Sequence, residues 1–185
     1  MLIRPATPAD TAEIDTLLDT AFGPGRHART ASLLRAGATA IAGPTLVARC
    51  DDAAECPSAG PDELLGSIQF WPIALRTGRD HFSLTLLGPV VVAHPARSLG
   101  LGRLLIARAL AVADAMCLGP ILLIGDASYY GRFGFTATAT GEWSLPGPSE
   151  RERLLLRADG SLPRIADIVA ESALARELSM VSVDG

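Results

Sequence analysis

The sequence is short of the residue types that mark several protein classes. Cysteine occurs three times in 185 residues, at Cys50, Cys56 and Cys117, an odd count without metal-ligand spacing. That excludes the dense, even disulfide framework of small secreted domains. It predicts reduced thiols, with Cys50 and Cys56, beside a loop, as the places for a reactive one; no metal is expected. Basic residues are outnumbered, 16 Lys plus Arg against 20 Asp plus Glu, for a net charge of −4. A nucleic-acid binder displaces counterions with a basic face, so no nucleic-acid partner is expected. Long apolar runs are also missing. The most apolar stretch, Leu101 to Gly125, is interrupted by Arg103, Arg108, Asp114 and Gly119-Pro120, whereas a membrane span needs about 20 apolar residues. The start, Met1-Leu2-Ile3-Arg4-Pro5, lacks the regions of a signal peptide. A cytoplasmic protein without membrane contact is expected.

What is present is core-forming material, 49% hydrophobic residues, which argues against disorder. A chain of this length predicts one domain. Leu2-Ile3-Arg4 reads as a strand. Thr7-Pro8-Ala9-Asp10 reads as a helix start, with a capping hydroxyl, an early proline and an acid three residues after the cap. Ile14, Leu17, Leu18 and Phe22 follow at helical spacing. A weaker helix is predicted over Ala28 to Ala36 with Leu33 and Leu34 inward. Strands are predicted over Thr45 to Arg49, Leu64 to Leu75 with a break near Pro72, and Phe82 to Val92. The apolarity of the last implies burial on both faces. Pro89 inside it predicts a bulge or a parting of strands. Gly102 to Leu118 reads as a helix and Ile121 to Ile124 as a strand. Phe135 to Trp143 and Arg153 to Arg157 read as late strands, and Pro163 to Leu178 as a terminal helix.

Between the apolar strand and the long helix lies Arg97-Ser98-Leu99-Gly100-Leu101-Gly102. Alternate glycines let the backbone approach an anion closely, and the unpaired N–H groups at a helix start point at it. The pattern predicts a diphosphate site, without saying which diphosphate. A dinucleotide fingerprint fails because Leu105 stands at the third glycine position. A nucleotide P-loop fails because Arg103-Leu104 follows Gly102 where Lys-Ser/Thr is required.

The remaining pattern, R-x-x-G-x-G after a hydrophobic strand, resembles the pyrophosphate loop of the Gcn5-related N-acetyltransferases (GNAT superfamily). The stretch from Leu87 through Arg103 is similar to that superfamily's motif A. Phe22-Gly23-Pro24-Gly25-Arg26-His27, Gly66 to Pro72, Tyr129-Tyr130-Gly131-Arg132-Phe133-Gly134-Phe135 and Leu145-Pro146-Gly147-Pro148 resemble, in order, the YhbS-like bacterial subgroup of predicted acetyltransferases. One departure is that the usual V-x-P after the fourth strand is displaced, reading Val92-Ala93-His94-Pro95.

The resemblance implies an α/β (α+β) acyl-CoA N-acyltransferase fold. Its mixed, mostly antiparallel sheet of about six to seven strands is split between strands 4 and 5, with helices on both faces. The resemblance covers roughly residues 1–157 and gives a domain over residues 1–160. The C-terminal helical extension over 161–185 reads as an addition to the family pattern, packed on the same domain or at a dimer contact, so that a monomer or a homodimer is expected. The resemblance implies acetyl-CoA as co-substrate, held by main-chain groups of Val90, Val91 and Val92 and by Arg97, Ser98, Leu99, Gly100, Leu101, Gly102 and Arg103. It implies Tyr130 as the acid that protonates the departing thiolate of coenzyme A, with Tyr129 as the neighbour most easily confused with it. It implies transfer of the acetyl group to a primary amine on a small-molecule or peptide acceptor. His27, Gln69 and Trp71 are the candidates for the acceptor pocket. The strand before Pro89 offers no carboxylate as a general base, only Ser83 and Thr85, and His81 lies about 25 Å along an extended chain; His27 is the one base candidate, beside its reading as a plain surface histidine. A different acyl group or a hydroxyl acceptor, and a catalytically silent acyl-CoA sensor, are the alternatives.

Overall fold

The computed structural model describes residues 1–51, 59–97, 99–140, 142–147, 151–160 and 162–173. Its elements in chain order are β1 (Leu2–Pro5), α1 (Thr11–Phe22), α2 (Thr30–Leu34), β2 (Leu46–Arg49), β3 (Leu64–Thr77), β4 (Asp80–Val92), α3 (Leu101–Ala115), β5 (Ile121–Ile124), α4 (Ala127–Tyr130), β6 (Trp143–Ser144), β7 (Leu154–Arg157) and β8 (Ala166–Ala170). The chain divides into two compact units, and β3 and β4 contribute a part to each.

The first unit comprises Met1–Arg26, Ala40–Phe70 and Gly88–Cys117. Here β1 pairs antiparallel with β2, and β2 with the first part of β3. Ile14 and Leu18 of α1 pack against Val47, Leu64 and Val91. In α3 the buried residues Leu101, Leu105, Ile106, Ala109, Leu110 and Ala113 recur at the three-to-four spacing of a helical stripe. The helix stops where Cys117 takes a left-handed φ of 53°.

A charge cluster that the sequence reading missed fixes the start of α1. Asp10, 1% exposed, takes both oxygens of its carboxylate to Arg4 at 2.7 Å, and accepts from Arg49 at 2.8 Å. Thr7 donates to it from its N–H at 2.8 Å and its hydroxyl at 2.9 Å. The Arg4 guanidinium, ahead of the opposing cost of burial, holds the Asp10 carboxyl far below the usual carboxylate range. Arg49 also pairs with Glu13 and donates to the Asp62 carbonyl.

The second unit comprises His27–Thr39, Trp71–Leu87 and the described residues from Leu118 on. β4 pairs parallel with β5 through Thr85↔Ile121 and Leu86↔Leu122, and β5 pairs antiparallel with β7. β8 lies antiparallel on the second part of β3 and parallel to β6. The core joins Leu34, Ile73, Leu75, Leu84, Leu86, Leu122, Trp143 and Ile168.

Several expectations need correction. The terminal helix begins as β8, in which Ala166 and Ile168 are buried and Asp167 is not, the alternation of a strand. Only residues 171–173 are helical; 174–178 lie outside the described residues, as does the expected boundary at Ser161. Among the described residues eight strands are assigned to the sheet, and the segment beyond 161 supplies one of them. β3 runs through Pro72 unbroken. β2 pairs with it as far as Ile68 and β8 begins at Ile73, so on that edge no ladder bond is asked of the proline. The strand expected over Phe135 to Trp143 shrinks to a bridge, Thr136↔Leu156, and the two residues of β6. Between them Thr140 turns the chain, its hydroxyl hydrogen-bonding the Ala137 and Leu154 carbonyls. Leu33 faces solvent at 42% exposure while Leu34 is fully buried. Cys50 is buried, which disfavours the thiolate that a reactive cysteine needs, and Cys117 is exposed; Cys56 lies outside the described residues.

Candidate functional site

In the first unit the end of β4 and the start of α3 form the glycine-punctuated bend that the sequence singles out. The Ala93 N–H donates to the Leu65 carbonyl at 2.8 Å across the β3–β4 pair. The alternation of an antiparallel strand then directs the main-chain groups of Val90 and Val92 to the opposite edge, while the Val91 side chain is buried. After a short turn of helix over His94–Ala96, the Arg97 side chain folds back and its Nε donates to the Val92 carbonyl at 3.3 Å. Ser98 lies outside the described residues. Leu99 is 64% exposed at the tip, and Leu101 is 1% exposed. Leu101 is thus an anchor: its side chain packs toward Gly66 with that of Leu105.

Gly100 caps α3 with φ +76° and ψ 6°, a left-handed conformation that costs a residue with a Cβ roughly 1–2 kcal/mol. The first helical bond runs from the Leu104 N–H to the Gly100 carbonyl at 3.1 Å. The N–H groups of Leu101, Gly102 and Arg103 therefore precede the helical ladder and project from its positive end. Arg103 Nη2 comes within 3.6 Å of the place a Cβ on Gly100 would occupy, so one guanidinium lies over the cap and the other against the strand end. Both side chains are exposed. All 16 basic residues of the chain are arginine, the side chain whose forked donors match phosphate oxygens.

Gly66 supports this bend from β3. A Cβ there would stand 2.8 Å from the Val91 carbonyl oxygen and 3.2 Å from Leu105. Only glycine lets the end of β4 and the first turn of α3 close on β3 at this point.

In the second unit β5 leads through Gly125 into α4. Asp126 caps that turn, its Oδ1 accepting from the Ser128 N–H at 2.8 Å. The Tyr130 ring lies so close over Gly125 that a Cβ would meet its Cε2 at 2.4 Å and its Cδ2 at 2.8 Å. Tyr130 also meets Tyr129 edge-on at 5.0 Å and Phe135 at 6.2 Å. Burial, then the neighbouring Tyr129, pushes the Tyr130 phenol up to about 12. Tyr129 is placed differently: the Arg132 guanidinium lies 5.4 Å from its ring centroid, and Phe133 is 6.3 Å away.

The acceptor candidates lie on separate segments of the chain. His27 is exposed and follows Arg26, whose guanidinium is pinned to α1 through Asp19 at 2.6 Å and Asp15 at 3.1 Å. Gln69 and Trp71, two residues apart on β3, are both half-buried. Arg35, which the sequence did not single out, places its guanidinium 5.4 Å from the Trp71 ring centroid. Among the described residues no group of three or more His, Cys, Asp or Glu is arranged to hold a metal ion, and no helix is long and apolar enough to cross a membrane.

No family model matches the chain, and no curated protein matches it. Solved structures do. The Escherichia coli GNAT family N-acetyltransferase YhbS, in complex with CoA, superposes with a TM-score of 0.70 at 21% identity, over 94% of this chain and 91% of that one. A GNAT family acetyltransferase from Brucella melitensis, in complex with acetyl-CoA, gives 0.64 at 28% identity over 94% and 97%. Arabidopsis thaliana Naa50, bound to the bisubstrate analogue CoA-Ac-MVNAL, gives 0.53 at 15% identity over 85% and 97%. The fold is that of the GNAT family N-acetyltransferases.

Proposed function

We propose, from the fold shared with that family, that this chain is an N-acetyltransferase that moves the acetyl group of acetyl-CoA to a primary amine by direct attack in a ternary complex. The observation that carries the reading is the bend at Gly100. Three N–H groups at the head of a 15-residue helix, a cap without a Cβ and two arginines fit a diphosphate. The CoA and acetyl-CoA bound by the E. coli and Brucella structures support the same ligand.

On this reading the N–H groups of Leu101, Gly102 and Arg103 and the guanidinium groups of Arg97 and Arg103 hold the diphosphate. Main-chain groups of Val90 and Val92 pair with the pantetheine amides. The Val92 carbonyl already accepts from Arg97, so Arg97 links the two contacts. Tyr130 serves the sulfur. With its phenol pushed up to about 12, it stays protonated at neutral pH but is a weaker acid than a thiol near 8.5. Its role is then to donate a hydrogen bond to the sulfur as charge develops there, a narrower part than full proton transfer. The reaction is written as attack of the neutral amine on the thioester carbonyl: C–N forms, C–S breaks, CoA leaves as the thiolate that Tyr130 hydrogen-bonds, and the proton lost from nitrogen passes through solvent to that thiolate.

Calorimetry with acetyl-CoA and CoA tests the cradle, and thiol release over a panel of amines tests the transfer. Binding together with amine-dependent thiol release is expected. Absence of affinity for any CoA thioester overturns the reading; binding without turnover across the panel favours a silent acyl-CoA sensor.

A further inference from the structure

Buried polar atoms normally find a hydrogen-bond partner. Among the described residues Arg49 Nε, Ser67 Oγ and Trp71 Nε1 are buried and have none. Arg49 is otherwise satisfied by its carboxylate partners, and Ser67 is shut inside β3 at 1% exposure. Trp71 differs from both. Its ring packs at the margin of the second unit's core, the residue as a whole is only half-buried, and a guanidinium stands on its face.

That guanidinium is fixed. Arg35 Nε donates to the Ala31 carbonyl at 2.9 Å and Nη2 to the Ser32 hydroxyl at 2.8 Å, which sets the cation 5.4 Å from the indole centroid, within cation–π range. The indole nitrogen is a donor only, and it lies at the rim of the same ring. A group bonded there needs to be an acceptor, and the guanidinium charge lies over the same ring. A donor without competing water, next to a held cation, selects an anion over a neutral group.

We propose that Trp71 and Arg35 bind a carboxylate carried by the acyl acceptor, which makes that acceptor an amine with a carboxylate, such as a free amino acid or a peptide with a free C-terminus. The inference rests on the acetyltransferase reading for what the bound molecule is. Trp71 and Arg35 are each half-buried, so the pair keeps a side toward solvent, and a carboxylate reaches the indole N–H by parting the side chains at its rim while Arg35 stays bonded to Ala31 and Ser32.

The chain has two tryptophans, and Trp143 Nε1 is committed to the Pro163 carbonyl at 2.8 Å. Two indole N–H signals are therefore expected in a heteronuclear NMR spectrum of the full chain, and Trp71→Phe assigns them. The common amino acids and a set of short peptides are added, each beside its own C-terminal amide, with CoA affinity measured in parallel by calorimetry. The Trp71 signal should move with at least one carboxylate and stay still with its amide; whether the active probe is an amino acid or a peptide decides the source. For that probe as acceptor, Trp71→Phe should raise KM about tenfold to hundredfold, the scale of one hydrogen bond to a charged group, with kcat and the KM for acetyl-CoA within about twofold. If CoA binds and no carboxylate moves the signal, or the amide moves it equally, the proposal is overturned and the acetyltransferase reading stands. If CoA does not bind, that reading fails first.

Discussion

Replacing Gly125 with alanine puts the role of Tyr130 under direct strain. The added Cβ would stand 2.4 Å and 2.8 Å from two ring carbons of Tyr130 and 3.0 Å from Leu123 Cδ1, where carbon pairs prefer about 3.5–4.0 Å. Relief requires the ring to move by roughly 1 Å or more, against Tyr129 and Phe135 packed on it edge-on. Overpacking of this kind costs about 1–3 kcal/mol, and each kcal/mol lowers the Tm of a protein this size by about 2–4 °C. A misplacement near 1 Å can cost about a hundredfold in rate. Gly125→Ala should therefore melt modestly earlier, keep its acetyl-CoA affinity, and lose about two orders of magnitude in thiol release. The decisive measurement is the double variant. In Tyr130→Phe the hydroxyl is already gone, so adding Gly125→Ala should lower Tm again with little further loss of kcat. Full turnover in a folded Gly125→Ala protein, or losses that multiply in the double variant, would refute the reasoning.

Other outcomes follow from the same geometry. Tyr130→Phe should lower kcat with little change in acetyl-CoA affinity, read by thiol release and calorimetry; equal turnover removes the hydroxyl from the mechanism. Arg97→Ala should weaken CoA about five- to tenfold, a gain discounted from a buried pair because the guanidinium faces solvent, and should flatten the salt dependence of binding. Asp10→Asn takes the carboxylate from between Arg4 and Arg49 and should destabilise by about 3–5 kcal/mol, seen as a fall in urea midpoint. The lowered Asp10 pKa fixes the sign with pH. The stabilisation is complete above the unfolded value near 3.9 and is lost as pH falls below it toward the folded one. Acid titrations of wild type and Asp10→Asn should converge in that window.

The parts of the fold legible in the sequence are those set by local chemistry. Gly100 and Gly102 ahead of an Ala/Leu-rich run announce α3, and the four residues of β5 between Gly119-Pro120 and Gly125 are bounded by turn formers on both sides. Pro89 reads as a bulge or a parting of strands; the β4–β5 ladder spans Thr85 and Leu86, and β4 runs on to Val92. What was illegible depends on distant partners. Residues 166–170 sit beside the Ala/Glu/Leu-rich stretch after them and share its helical spacing; only pairing with β3 makes them a strand, a tertiary preference that no local pattern carries. Asp10 reads as an ordinary helix-start acid, and the one hint of its cluster is a lone arginine in each of two short strands, Arg4 and Arg49, 39 residues away from Asp10 in the latter case. The site divides the same way. Gly100 and Arg97 could be named from spacing, whereas the pairing of Arg35 with Trp71 and the fit of Tyr130 over Gly125 belong to the folded chain.

The placement of β8 changes what shortening this protein means. Ala166–Ala170 covers the backbone of Ile73 to Arg76 on β3, so cutting the chain before it bares a row of main-chain donors and acceptors. Exposed rims of that sort recruit other molecules edge to edge. A version ended near residue 160 is thus expected to precipitate or self-assemble, and any fusion or tag placed downstream must leave β8 free to dock.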